Sequence, residues 1–173
     1  MRQSNFDFVK EYPKKFGGSL LEGKRKSKRP LSTKNPIHLI LKSVCTGIFA
    51  PGNQSLERLI RDTAFKFNIK IQELAINWSH IHFAILMQDR KDYVRFVRAL
   101  TSMIATKVRK ARPEIKVIFV LRPFTRIVSW GRDLKNVFNY HDINNMEARG
   151  MFGRKSKKKS KGRPKTRPRP NPP

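Results

Sequence analysis

Two apolar runs, Ile69–Trp78 and His80–Met87, follow one another with only Ser79 between them. Extended segments joined so tightly can satisfy their backbone groups only by folding back on each other, so an antiparallel strand pair is fixed near the middle of the chain. The rest must be arranged to cover it. Ile37–Ser43 (IHLILKS) is a short apolar strand, and the Pro51-Gly52 turn then leads into Ser55–Phe67. There Leu56, Leu59, Ile60, Ala64 and Phe67 recur at helical spacing. Asp92–Ala111 is the longest helical pattern, apolar at Val94, Val97, Leu100, Ile104 and Val108, and Pro113 ends it. Val117–Trp130 is rich in β-formers but broken at Arg122-Pro123, so it reads as one bent strand or two. Gly131 opens a last helix that runs to about Ala148 and is stopped by Gly150. The order βαββαβα predicts an α+β fold: a ferredoxin- or RRM-like sandwich with an antiparallel sheet and helices packed mainly on one face.

The ends of the chain are of another kind. Gly17–Lys34 mixes Gly, Ser and basic residues without apolar periodicity, and residues 1–34 are expected to form a flexible basic arm. Residues 153–173 are low-complexity and rich in Lys, Arg and Pro, a composition that cannot bury a core, and are expected to be a disordered tail. The folded body is thus placed at 35–152. The whole chain carries 39 Lys and Arg against 12 Asp and Glu, a formal charge of +27. With the two ends set aside the body is still about +10. That excess repels itself and attracts polyanions, which points to nucleic acid. No segment approaches the ~18 consecutive apolar residues of a membrane span, and the first ten residues hold no apolar run of a signal peptide. The single cysteine, Cys45, excludes an internal disulfide and a CxxC zinc site. A cytoplasmic protein is expected.

Two of the four histidines form His80-Ile81-His82. On a strand, i and i+2 share a face, so both imidazoles project together, about 7 Å apart at the backbone. They form either a solvated polar edge or two ligands of a metal ion that needs a third. In the last helix Tyr140 and Asn144 stand four apart on one face, with Val137, Ile143 and Met146 as its expected apolar side. Tyr140 alone reads as an ordinary amphipathic tyrosine.

The order of these motifs (an HxH strand, a long helix, a further strand, then a helix with YxxxN) resembles the HUH single-tyrosine transposases of the IS200/IS605 group. The resemblance is closer to their relatives associated with repetitive extragenic palindromes, and it spans about residues 35–150. His80-Ile81-His82 matches the family's histidine–hydrophobe–histidine strand, and Tyr140 with Asn144 matches its tyrosine and polar ligand. Asn77-Trp78-Ser79 departs from the Pro-Asn turn common before the pair. The resemblance implies a metal-dependent DNA transposase that cleaves and rejoins single-stranded DNA through a 5′-phosphotyrosine. Tyr140 would be the nucleophile, and His80, His82 and Asn144 would hold Mg²⁺ or Mn²⁺, with imidazole ligation leaning toward Mn²⁺. Rejoining would need no nucleotide, in keeping with a sequence that has no GxxxxGK[ST] loop.

Single-stranded or hairpin DNA is the implied partner, and homodimers that share sites occur in the family. Arg122, Arg126 and Arg132 flank the last strand and are expected to line the DNA path, with Trp78, Phe124 and Trp130 as stacking candidates. Lys161-Gly162-Arg163-Pro164 resembles the core of a minor-groove AT-hook, and Lys161 and Arg163 are expected to touch DNA. The competing reading is a non-catalytic nucleic-acid binder, a decayed transposase that recognises hairpin DNA or RNA. Such a protein would not need Tyr140 and the His pair together.

Overall fold

The computed structural model describes residues 14–24, 27–119 and 121–151. The strands are β1 (Lys15–Phe16), β2 (Ile37–Lys42), β3 (Ile69–Asn77), β4 (His80–Met87) and β5 (Phe124–Ile127). The helices are α1 (Gln54–Lys66), α2 (Arg90–Ala111) and α3 (Arg132–Ala148), and a 3₁₀ turn covers Gly18–Leu21. From β2 onward the order is the predicted βαββαβα. The five strands form one sheet in the order β1-β5-β2-β4-β3, antiparallel at every pairing.

The pleat of β4 sorts the molecule into layers. Ile81, Phe83, Ile85 and Met87 enter the main core, where Phe83 meets Phe96 of α2 edge-on at 6.2 Å. Ile60 and Ala64 of α1 and Leu100 and Ile104 of α2 complete that core. Each of the large side chains buried there contributes about 1.5–3 kcal/mol. The alternate residues of β4, His80, His82 and Ala84, face the other way. There Ala84 joins Val128, Leu134 and Val137 in a smaller cluster beneath α3. Two helices therefore cover one face and α3 the other.

Local chemistry sets the helix ends. The Asn53 side chain accepts from Leu56 N at 3.0 Å and that of Asp89 from Lys91 N at 3.1 Å, each satisfying an amide that the helix leaves open. Arg112, held out of helical geometry by Pro113, ends α2. α3 closes at Gly150 in the left-handed region (φ 74°), with Met151 N donating to Met146 O at 2.9 Å.

The β3–β4 turn is Trp78-Ser79, and the β2–α1 connection clamps it. Ser43 N and Oγ both donate to Ser79 O, at 2.8 and 2.9 Å, and Gly47 N donates to Trp78 O at 2.8 Å. Val117–Trp130 yields only the four-residue β5. Pro123 offers no N–H to a ladder and restrains Arg122 before it, so pairing starts after it. Part of the expected N-terminal arm lies against the sheet. β1 pairs with β5, and Arg29 donates to Pro123 O and Thr125 Oγ1, both at 2.7 Å. Gly17, at φ 89°, permits this approach, because a Cβ there would stand 2.0 Å from Pro123 O. Residues 152–173, with Lys161 and Arg163, lie outside the described residues. Among the described residues no helix is long and apolar enough to cross a membrane.

Candidate catalytic centre

β4 and α3 bring the sequence motifs together, and β2 adds to them. His82 is buried on the α3 face, with the ring of His80 4.6 Å away and perpendicular to it. The ring of Tyr140, still 41% exposed, stands 5.3 Å from that of His82. Asn144 is buried one turn further along α3, and its Nδ2 donates to Tyr140 O at 2.6 Å, so its Oδ1 remains as the acceptor. Tyr140 and the histidine pair thus stand side by side, with Asn144 one turn along α3 from the tyrosine.

Two histidines that the motif did not mark complete the cluster. His38, on β2, stacks on His82 at 5.5 Å, and His141, on α3, lies 5.1 Å from His38 and 5.5 Å from His82. One potential ligand nitrogen from each of these three lies within 4.8 Å of the others. His38 belongs to the same alternate row of β2 as Ile40, which pairs with His82 across the ladder. His141 belongs to the sheet-facing row of α3, Leu134, Val137, His141, Asn144 and Ala148. Ile143 and Met146, expected on that apolar side, are 51% and 39% exposed instead.

Burial governs the charge state here. His82 is pushed down to about 2, first by burial and then by the neighbouring His80, His38 and His141. His38 falls to about 3 through burial, then through His141 and Arg126, with Asp133 opposing. His141 falls to about 4 through burial. All three are neutral imidazoles near neutral pH, which is the form that ligates metal. His38 Nε2 and His82 Nδ1 lie 3.3 Å apart, so one of them carries the shared proton. Among the described residues, His82 Nε2 and both ring nitrogens of His141 are buried without a hydrogen-bond partner. Buried orphan nitrogens cost energy unless something engages them, and neutral donors at this spacing fit a divalent ion. The set holds no carboxylate, and an all-nitrogen donor set suits Mn²⁺ better than Mg²⁺.

The arginines divide. Arg126 donates through Nη1 to both carboxylate oxygens of Asp133, at 2.9 and 3.0 Å, and Ser129 N also donates to that carboxylate at 3.0 Å. Arg126 therefore ties β5 to the first turn of α3. Arg122 and Arg132 are exposed. Trp78 and Trp130 are about half exposed, and Trp130 Nε1 donates to Lys34 O at 2.9 Å. Phe124 is partly buried, edge-on to His38 at 6.5 Å.

No curated protein matches this chain. Among solved structures, a REP-associated tyrosine transposase bound to a REP hairpin superposes with a TM-score of 0.53 at 13% identity, over 71% of this chain and 73% of that one. That likeness shows a shared fold. A candidate transposase from Deinococcus radiodurans R1 gives 0.45 at 16% identity, over 70% of this chain and 98% of that one, a superposition too loose to argue from. A family model described as transposase IS200 like matches residues 36–125, just over half of the chain, from the edge of β2 into β5. It takes in His38, His80 and His82 and stops short of α3. The chain belongs to the IS200-like transposase family.

Proposed function

We propose that this protein is a DNA transposase that cuts and rejoins single-stranded DNA next to a hairpin, with Tyr140 as nucleophile and a divalent metal held by His80, His82 and Asn144. The observation that carries this reading is the half-exposed Tyr140 ring set over a buried cluster of neutral imidazoles, 5.3 Å from His82. A Lewis acid on the scissile phosphate, the chemistry a bound Mn²⁺ or Mg²⁺ supplies, suits an attack by a phenol whose ordinary pKa is near 10.

The protein's own residues do the rest. With the proton of the His38 Nε2–His82 Nδ1 contact on His82, the Nε2 lone pair of His82 would be left to hold the metal, the usual arrangement of an oriented ligand. Asn144 donates from Nδ2 to Tyr140 O, which would leave Oδ1 to the metal. His141, at a ring distance of 6.4 Å from Tyr140, is the neutral imidazole at hand for the phenol proton. Tyr140 Oη attacks phosphorus, the P–O3′ bond breaks, and the 3′-oxygen leaves as a hydroxyl after taking up a proton. The resulting 5′-phosphotyrosine conserves one phosphodiester, so another 3′-hydroxyl can reverse the step without ATP. A homodimer is compatible with this scheme.

The test is direct. A labelled single-stranded DNA carrying a hairpin, incubated with the protein and Mn²⁺, should give an adduct that survives SDS. Tyr140→Phe should give none. Adduct formation by Tyr140→Phe, or its absence with wild type, overturns the mechanism. Hairpin binding without an adduct would favour the non-catalytic reading.

A further inference from the structure

His82 has two ring nitrogens, and the fold treats them differently. Nδ1 lies 3.3 Å from Nε2 of His38 on β2, while Nε2 is buried with no hydrogen-bond partner among the described residues. Beside this contact stands His141 on α3, its ring 5.1 Å from that of His38 and 5.5 Å from that of His82. It is 0% exposed, and neither of its nitrogens has a partner among the described residues. His38, His82 and His141 each bring one donor nitrogen within 4.8 Å of the others. His80 is not of that trio, and its Nδ1 lies 3.0 Å from Ser79 Oγ. The 3.3 Å spacing is that of two ligands on one ion. Nitrogens bound to a tetrahedral Zn²⁺ at about 2.0–2.1 Å stand about 3.3–3.4 Å apart. Three neutral imidazoles without a carboxylate also suit Zn²⁺, which binds nitrogen more tightly than Mn²⁺ and accepts four ligands.

We propose that His38, His82 and His141 form a second, inhibitory metal site that takes Zn²⁺, and that filling it switches off the site of His80, His82 and Asn144. The proposal rests on the reading of those last three as the catalytic ligands. The switch is the tautomer of His82. A neutral imidazole has one protonated nitrogen and one lone pair. While the proton of the contact sits on Nδ1 and faces His38, the Nε2 lone pair is free for a catalytic ion. Zn²⁺ between His38 and His82 takes a lone pair from Nδ1, and the proton that was there passes through solvent to Nε2. The protons balance. His38 gives Zn²⁺ the lone pair that had accepted the Nδ1 proton, and His82 keeps its one proton on the other nitrogen. His141 is the third ligand, and one ligand from solvent completes the tetrahedron. With an N–H where the lone pair had been, Nε2 cannot bind an ion beside His80. The two sites therefore exclude each other although they use different nitrogens of the shared ring.

The test titrates the full chain with Zn²⁺ by calorimetry, and with Co²⁺ as a coloured stand-in. Co²⁺ should give the intense visible bands of a four-coordinate ion. His38→Ala and His141→Gln should each weaken Zn²⁺ at least tenfold, whereas His80→Ala and Asn144→Ala should change it less than threefold. Thermal unfolding confirms that each variant is folded. Nitrogen-15 NMR of the wild-type histidines reads the switch without any variant, since Zn²⁺ should move the His82 proton from Nδ1 to Nε2. Once Zn²⁺ is bound, Mn²⁺ should no longer raise Tm. Four results overturn the proposal: no Zn²⁺ binding, loss of Zn²⁺ with His80→Ala but not with His38→Ala, a His82 proton that stays on Nδ1, or Mn²⁺ bound together with Zn²⁺. Where wild type with Mn²⁺ forms the Tyr140 adduct, added Zn²⁺ should abolish it; an adduct that persists at saturating Zn²⁺ also overturns the switch. A wild type that shows the tautomer change with Zn²⁺ but forms no adduct with Mn²⁺ alone sinks the catalytic mechanism and leaves the zinc site standing.

Discussion

Arg126→Ala separates a tether from a DNA contact. In the structure Arg126 holds both oxygens of Asp133 at 2.9 and 3.0 Å, with side-chain exposures of 25 and 34%. Hydrogen bonds to charged groups contribute about 1.5–3 kcal/mol when buried, whereas exposed pairs contribute about 0.2–1 kcal/mol. Discounted for that exposure, the pair should be worth about 1 kcal/mol, or a fall of about 3–5 °C in Tm for a body of this size. A double-mutant cycle with Asp133→Asn isolates the term. Its pH dependence follows from Asp133. Burial alone would raise that carboxyl, but the Arg126 hydrogen bonds, the Ser129 amide and the charges of Arg126 and Lys14 hold it below its ordinary 3.8. A group depressed on folding contributes its stability above the unfolded value and loses it as pH falls through the folded one. The wild-type advantage over Arg126→Ala should therefore be full at pH 7 and shrink below pH 3.8. The assay is thermal unfolding across this range, with hairpin affinity measured in parallel. No coupling in the cycle, together with a loss of hairpin affinity, would refute the tether and return Arg126 to the DNA path.

The buried imidazoles predict acid sensitivity of the metal-free protein. His38, His82 and His141 are held at about 3, 2 and 4, below the unfolded 6.5, so the unfolded chain binds more protons as pH falls. Stability should drop between pH 6.5 and 4, by up to about 1.4 kcal/mol per pH unit for each imidazole, as read by denaturant titration. Mn²⁺ should raise Tm at pH 7.5, and Asn144→Ala and His82→Ala should each weaken that shift. If His141→Ala abolishes it and Asn144→Ala does not, the third ligand is the histidine. Gly17→Ala should destabilise the packing of β1, since its Cβ has no room beside Pro123 O; faster amide exchange of Phe16 and Ile127 would report it. Phe83→Ala should cost about 3–5 kcal/mol, measured by urea unfolding, because the ring is fully buried against Phe96.

Much of this was legible in the chain, because periodicity reports which face of an element is buried. The strand His80–Met87 appears at its expected bounds, and the three helices lie within two residues of theirs. What periodicity does not report is who neighbours whom. His38 sits in a short apolar strand, and nothing local says that this strand lies between β4 and β5 with its second residue facing α3. His141, flanked by Tyr140 and Asp142, reads as one more polar residue until the sheet-facing row of α3 is known. Ile143 and Met146 misled for the same reason, since apolarity on a helix next to a binding face need not mean core. The break at Arg122-Pro123 was visible, but its effect on strand length depended on where β2 could begin to pair.

The Trp78-Ser79 turn has a consequence for how such a protein can vary. Its two residues set the phase of β4, and β4 is a strand with chemistry on one side and hydrophobic core on the other. Adding or deleting one residue there would shift the phase by one, sending His80 and His82 into the oily layer and Phe83 out beneath the tyrosine. Folding and activity would fail together. Among related sequences this hairpin should therefore admit no change in length.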